Sequence, residues 1–422
     1  MKKILMLAIG AVGLMAGSCS TDDIVLDEQP STVTPPEEEV TPDTPQPQWL
    51  SFTNEEKNAA KSMQSFNYGF FREVNASLNT NGNVLACPVS AQLLLSMLAN
   101  ATEGSARDEI VTALGCKDMD AINSLANKYI TQLPVEYDGV EMALANSLWY
   151  DRTYELREDF ASVLAQYYGA ESNGRDFSDK HGLVTEINRW CADKTNDRIS
   201  RIISDIPEQM EMIMANALYF KAPWGNPFDE EKTTKKSFMT PTGPRDVDMM
   251  AQRKQMRYAE AEDFRAVEIP FAQHSFYIWF VLPSENIAID DFVSSFDLSK
   301  LDTQITTPIV ELSMPKFQFD GDNIDMETPL RKLGVKTVFN GTGHNMFTKP
   351  VAGSHQLCQR STIGFNEKGA EASSVTIDGW DTSTGKPVEP EVKVLNLDRP
   401  FLFFILERHT NGCIMAGKFA EP

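Results

Sequence analysis

The chain is poor in the residues from which catalytic sites are most often built. Its 422 residues include five histidines, His181, His274, His344, His355 and His409, and none stands in an HExxH pair. No GxSxG elbow, P-loop or GxGxxG turn occurs. Spacing alone does not exclude a scattered Ser-His-Asp triad, but no local pattern favours one, and each imidazole reads as an ordinary surface or core side chain. Cysteine is scarce as well. Of six, the five after Cys19 (Cys87, Cys116, Cys191, Cys358 and Cys413) are never spaced CxxC, so neither a disulfide framework nor a zinc cluster is suggested. They read as small buried hydrophobes. Basic charge is also short: 38 Lys and Arg against 60 Asp and Glu leave a net charge of −22. Without clustered Lys and Arg there is no footprint for nucleic acid and no groove for a polyanion. Beyond the first nineteen residues no apolar run is long enough to cross a bilayer. The reading is of a protein that is not an enzyme and needs no metal or cofactor.

What is present is enough hydrophobic material for one large domain or two ordinary ones, 42% of residues with 9% aromatic. At the start, Lys2-Lys3 precede an apolar run from Ile4 to Met15 and the small residues Ala16-Gly17-Ser18, the pattern of a secretory signal. Cys19 follows directly. This resembles a bacterial lipoprotein cleavage site, although Ala16 stands where Leu is more usual. The resemblance implies lipidation of Cys19 and a secreted protein anchored at the outer membrane or cell surface. Simple secretion stays open, as does the direction in which a lipid-anchored body would face. Residues 20–48 hold six prolines, eight acids and no Lys or Arg, the composition of a semi-stiff tether. The division expected is a signal at 1–19, the tether at 20–48 and a folded domain at 49–422.

Within that domain Thr53-Asn54-Glu55-Glu56 fits a capping box, followed at helical spacing by Met63, Phe66, Phe70, Val74 and Leu78. Further helices are expected at about 90–99 and 183–195. The runs at 275–283, 309–319 and 401–408 are aromatic and β-branched, as buried strands are. Helices early, strands late and no βαβ alternation point to an α+β fold with large, mostly antiparallel sheets.

The segment 365–391, FNEKGAEASSVTIDGWDTSTGKPVEPE, fits neither kind of element. Nearly thirty residues without a core-forming run are too many for an ordinary loop. Were 370–377 to become a strand, one face would carry Ala370, Ala372, Ser374 and Thr376, and the other Glu371, Ser373, Val375 and Ile377. The first face is small enough to enter a packed sheet, and Gly369 before it permits unusual backbone angles. This is the composition of a latent strand: a loop able to insert.

FNEKGAEASS is similar to the hinge that precedes the reactive loop of the serpin family, and 398–422, DRPFLFFILERHTNGCIMAGKFAEP, resembles that family's C-terminal strand pair. NVLACPVSAQLLLSML (83–98), ANALYFKAPWGNPFD (215–229), DMMAQ (248–252) and MPKF (314–317) resemble serpin segments in the family's order. The resemblance covers essentially 49–422. It implies three β-sheets with about nine helices, a reactive-centre loop at about 367–390, and a monomeric, single-use inhibitor of serine and also cysteine proteases. The protease cleaves the loop, is held as an acyl-enzyme, and is carried away as the loop inserts into the sheet.

By position the resemblance gives the hinge as Glu367, Gly369, Ala370, Glu371, Ala372, Ser373 and Ser374. Ser383 and Thr384 then flank the scissile bond, sixteen residues after Glu367, with Thr382 and Lys386 as alternative cleavage positions. A small residue before the cut suits elastase-like pockets, and Lys386 a trypsin-like one. Ser90 and Asn216 match residues that hydrogen-bond beneath the central strands. Gln359 stands where histidine is common and Cys87 where serine is. Trp224 and Lys316 match residues at the point where insertion begins, Lys316 being able to pair with Glu367. The alternative is a non-inhibitory binding protein on the same fold.

Overall fold

The computed structural model describes residues 50–422 apart from 79, 138, 273–274, 304, 321–323, 350–353 and 371–390. The capping box forms: Glu56 N donates to Thr53 Oγ1 at 3.2 Å and Thr53 N to Glu56 Oε2 at 2.8 Å, a device worth about 1 kcal/mol. The helix it opens, Asn54–Leu78, buries Met63, Phe66, Phe70 and Val74. Pro88–Asn100 is buried along nearly its whole length and runs through the centre of the core. Lys180–Lys194, capped by Asp179, packs Leu183, Ile187 and Trp190 into a second, smaller apolar cluster.

Three sheets are present, mixed with eight α-helices and three short 3₁₀ turns among the described residues. Five of those helices, such as Met119–Gln132 and Glu158–Tyr168, go beyond the three read from the sequence. The seven-stranded sheet takes in Phe276–Pro283 and Phe401–Glu407, paired antiparallel as their aromatic, β-branched composition suggests. The run 309–319 is two strands, not one. Ile309–Pro315 belongs to the four-stranded sheet and Phe317–Asp320 to the eight-stranded one. Lys316 is the crossing residue, its N–H donating to Asp248 O at 2.8 Å.

The eight-stranded sheet corrects the expectation that strands come late. Of its two longest members, Val140–Asp151 lies in the first half of the chain and Met210–Pro223 begins at its midpoint. Met, Ala, Leu and Lys in MEMIMANALYFKAP favour helix intrinsically, so tertiary packing decides the outcome. Both faces of this strand are covered. Met212, Met214, Leu218 and Phe220 face the main core, while Ile213, Ala215 and Ala217 lie in the smaller cluster with Trp190. That removes the apolar/polar alternation by which a strand is usually read.

Candidate functional site

The central strand Met210–Pro223 has two different neighbours along one edge. In its lower part Ser354–Arg360 runs beside it in parallel, Gln359 opposite Asn216 and Arg360 opposite Ala217. Past Ser361 the chain leaves this edge, and Thr362–Asn366 pairs instead with Phe317–Asp320. It turns at Glu367-Lys368 and comes back as Gly369–Ala370. This two-residue strand lies between Phe365-Asn366 on one side and Ala222-Pro223 on the other. Among the described residues no strand pairs with Leu218–Lys221 on this edge. Among the described residues the sheet is thus parted at its upper end, with Gly369–Ala370 at the mouth of the parting.

Several side chains hold the entry. Trp224, 1% exposed, is stacked between Phe271 and Phe365, at centroid distances of 5.1 and 5.6 Å. Its indole N–H donates to Asn366 O at 2.8 Å. The backbone N–H groups of Trp224 and Phe228 donate to Lys368 O and Glu367 O, each at 2.8 Å. Asn366 Oδ1 accepts from Lys368 N and Gly369 N, an Asx-type turn. Gly369 has φ +152°, and a Cβ there would lie 2.2 Å from Ala222 O, so no other residue fits without moving the strand. Ala370 is wholly buried.

The structure brings Glu367 and Lys316 together. Lys316 Nζ lies 2.9 Å from the carboxylate, and Thr233 Oγ1 donates to it at 2.8 Å. Burial alone would raise this carboxyl, but hydrogen bonds from Lys316 and Thr233, with the lysine's charge, outweigh it and hold the pKa below the ordinary value.

Below the parting the arrangement differs from the one expected. Gln359 Nε2 donates to Cys87 O at 2.6 Å and its Oε1 accepts from Cys87 N at 3.0 Å. Its amide thus ties the strand Ser354–Arg360 to the residue just before the helix Pro88–Asn100. Asn216, opposite it, turns to the other neighbouring strand. Its Nδ2 donates to Asn146 Oδ1 at 2.7 Å, and Asn146 Nδ2 to Tyr168 O at 3.0 Å. Ser90 corrects the reading that it hydrogen-bonds beneath the strands: its Oγ is buried without a partner among the described residues. Burial pushes the Cys87 thiol up to about 12, only partly offset by a hydrogen bond with Ser361, so it stays protonated.

Glu371, Ala372, Ser373, Ser374, Thr382, Ser383, Thr384, Lys386 and Cys19 lie outside the described residues. Phe271, Phe365, Thr233, Asn146 and Tyr168 were not singled out in the sequence, because each meets its partner across a long stretch of chain. Asn366 was readable, since an Asx residue shortly before glycine is a turn signal. Among the described residues no group of three or more His, Cys, Asp or Glu is placed to hold a metal. Four of the five described cysteines are buried, Cys116 being partly exposed, and all are free thiols.

With this geometry established, comparison with known proteins gives one answer. A family model described as Serpin (serine protease inhibitor) matches residues 61–422. Human Serpin B9 is 27% identical, over 82% of this chain and 94% of that protein. An uncharacterized serpin-like protein of Thermococcus kodakarensis is 26% identical, over 87% of each. The solved structure of Arabidopsis AtSerpin1 in its native stressed conformation superposes with a TM-score of 0.77 at 25% identity, covering 88% of this chain and all of that one.

Proposed function

The chain belongs to the serpin family, whose members are generally inhibitors of serine proteases and not enzymes, and from this premise we propose that it is a single-use protease inhibitor. The observation that carries the reading is the parted edge: Leu218–Lys221 of the central strand, without a strand partner on this edge among the described residues, with Gly369–Ala370 at its mouth. Extending that strand would add ladder hydrogen bonds, each worth about 0.5–1.5 kcal/mol net, and would bury small side chains already patterned for it. A protease that cleaves the loop forms an acyl-enzyme. Insertion then drags it along the sheet before water can release it and distorts the oxyanion stabilisation that deacylation needs. The inhibitor supplies bait and mechanical work, while the covalent chemistry is the protease's.

In this proposal the cut falls between Ser383 and Thr384, and elastase-like serine proteases are the first targets. Cysteine proteases are a second class, and cleavage after Thr382 or Lys386 are the alternative registers. The N-terminal segment secretes the chain and, through a lipid on Cys19, anchors it at the outer membrane or cell surface, where it acts as a monomer. The test is incubation with a panel of serine and cysteine proteases, followed by denaturing gels and mass spectrometry of the released C-terminal peptide. A covalent complex with a cut inside 381–387 is expected. Cleavage without any complex in every case would leave a non-inhibitory binding protein on the same fold.

A further inference from the structure

A cavity of about 290 Å³ opens against the segment that holds the hinge, its walls including Asn226, Gln252, Lys254, Arg257, Glu268 and Arg408. Glu268 is 3% exposed and takes Arg257 Nη1 on one oxygen at 2.5 Å and Arg408 Nη2 on the other at 2.7 Å. Two guanidinium groups thus share one carboxylate. Arg408 is also fixed over the Tyr277 ring, 3.9 Å from its centroid, so its remaining donors are preorganised. Lys254 donates to the neutral Asn226 Oδ1 at 2.6 Å, and no carboxylate among the described residues is recorded as its ion-pair partner. Desolvation lowers its pKa, the response of an ammonium without a counter-ion. The Gln252 amide is buried here with neither its nitrogen nor its oxygen partnered among the described residues. Three cations facing one carboxylate form an unusual pocket in a chain of net charge −22.

We propose that this cavity binds a small multivalent oxyanion, such as a phosphate ester, a sulfate ester or a dicarboxylate, and that its occupancy is felt at the hinge. The forked arginine donors suit planar or tetrahedral oxyanions, the Gln252 amide supplies a further N–H, and Lys254 supplies a point charge. The cavity's size suits a compact anion and not an extended polymer. Coupling runs through Asn226, which lies midway between Trp224 and Phe228, the two residues whose N–H groups hold the carbonyls of Lys368 and Glu367. An anion that draws Lys254 away from Asn226 repositions that segment, and the hinge with it.

The test needs no protease, so its outcome is separate from that of the inhibitory reading. Inorganic phosphate, inorganic sulfate and citrate are titrated calorimetrically into the full chain at fixed ionic strength, which removes differences in screening. The three arms distinguish the tetrahedral from the carboxylate chemistry. Hydrogen exchange is followed in 224–228 and 366–370. One-to-one binding is expected for at least one anion, weakened about tenfold or more by Lys254→Met or Gln252→Leu, with altered exchange in both segments only when the anion is bound. Gln252→Leu removes no side-chain hydrogen bond among the described residues, so its result does not hinge on folding. Binding unchanged in both variants, no binding by any of the three, or bound anion without a change at 366–370 overturns the proposal.

Discussion

The two halves of one strand edge have opposite properties. Along 354–360 the edge is closed: a parallel ladder to the central strand, with the Gln359 amide making two hydrogen bonds to the backbone of Cys87. Along 362–370 it is parted, held by one tryptophan, one ion pair and a glycine that nothing else could replace. Both halves mix polar with apolar residues, so composition alone does not separate them. Among the described residues the difference is how far the central strand has a partner on this edge: it is paired as far as Ala217 and again at Ala222–Pro223, and not at 218–221.

The largest effect should come from obstructing that filling. Ala372→Arg puts a long cation on the face that has to enter the sheet, at a cost of several kcal/mol once buried unpaired. Insertion slows, deacylation wins, and the variant becomes a substrate cut at the same bond. On a denaturing gel the covalent band should vanish while the cleaved band remains. Melting curves before and after nicking should show a large gain for the wild type and a smaller one for the variant. Unchanged trapping would mean that EASSVTI is a plain linker.

Next comes the closed half. Gln359→Ala leaves Cys87 N without its partner in a buried site, while Cys87 O keeps the N–H of Ala91 at 3.2 Å, a loss of about 1–3 kcal/mol. The expected result is a lower Tm and easier parting, seen as faster proteolysis or hydrogen exchange across 354–360. If Tm is unchanged, the amide is not what keeps this half shut.

Smaller again is the ion pair at the mouth. The Glu367 carboxyl is held below its ordinary value of 4.5 in the folded protein. Its stabilisation is therefore fully present above the unfolded pKa and fades as pH falls through the lower folded one. Lys316 is partly exposed, so the amount is modest, about 1 kcal/mol or less. Glu367→Gln should lower Tm slightly at neutral pH and converge with the wild type in acid. Parallel melting curves down to acid pH check this. A gap that widened on acidification would reverse the sign and sink the assignment.

The smallest change expected is at Cys87. With burial complete and the thiol pushed up to about 12, a maleimide reagent at mildly alkaline pH should leave it unmodified in the native protein, while partly exposed Cys116 reacts. Cys87→Ser should shift Tm little, the hydroxyl taking over the contact with Ser361.

The elements that were legible share a cause. The capping box at Thr53–Glu56, the aromatic strands and the FNEKGAEASS hinge are written in residues close together in the chain, where propensity and periodicity operate. The central strand escaped because both of its faces are covered and its residues favour helix. The run 309–319 was read as one strand because nothing in its sequence marks the change of sheet at Lys316.

By itself the sequence determined the family, through motifs in order along 49–422, and it carried the alternation of small residues after Gly369, because both are local facts of the chain. It also placed Glu367, Gly369, Trp224 and Lys316 near one another through the family's motifs. Only the tertiary structure decided where the sheet parts. It decided as well that Gln359 binds Cys87 rather than Asn216, that Ser90 makes no hydrogen bond among the described residues, and that Lys254 faces an uncompensated cavity beside the hinge segment. The reason is that a hydrogen bond's partner is chosen by which backbone and side chains arrive at the same buried point, and these arrive from elements far apart in sequence.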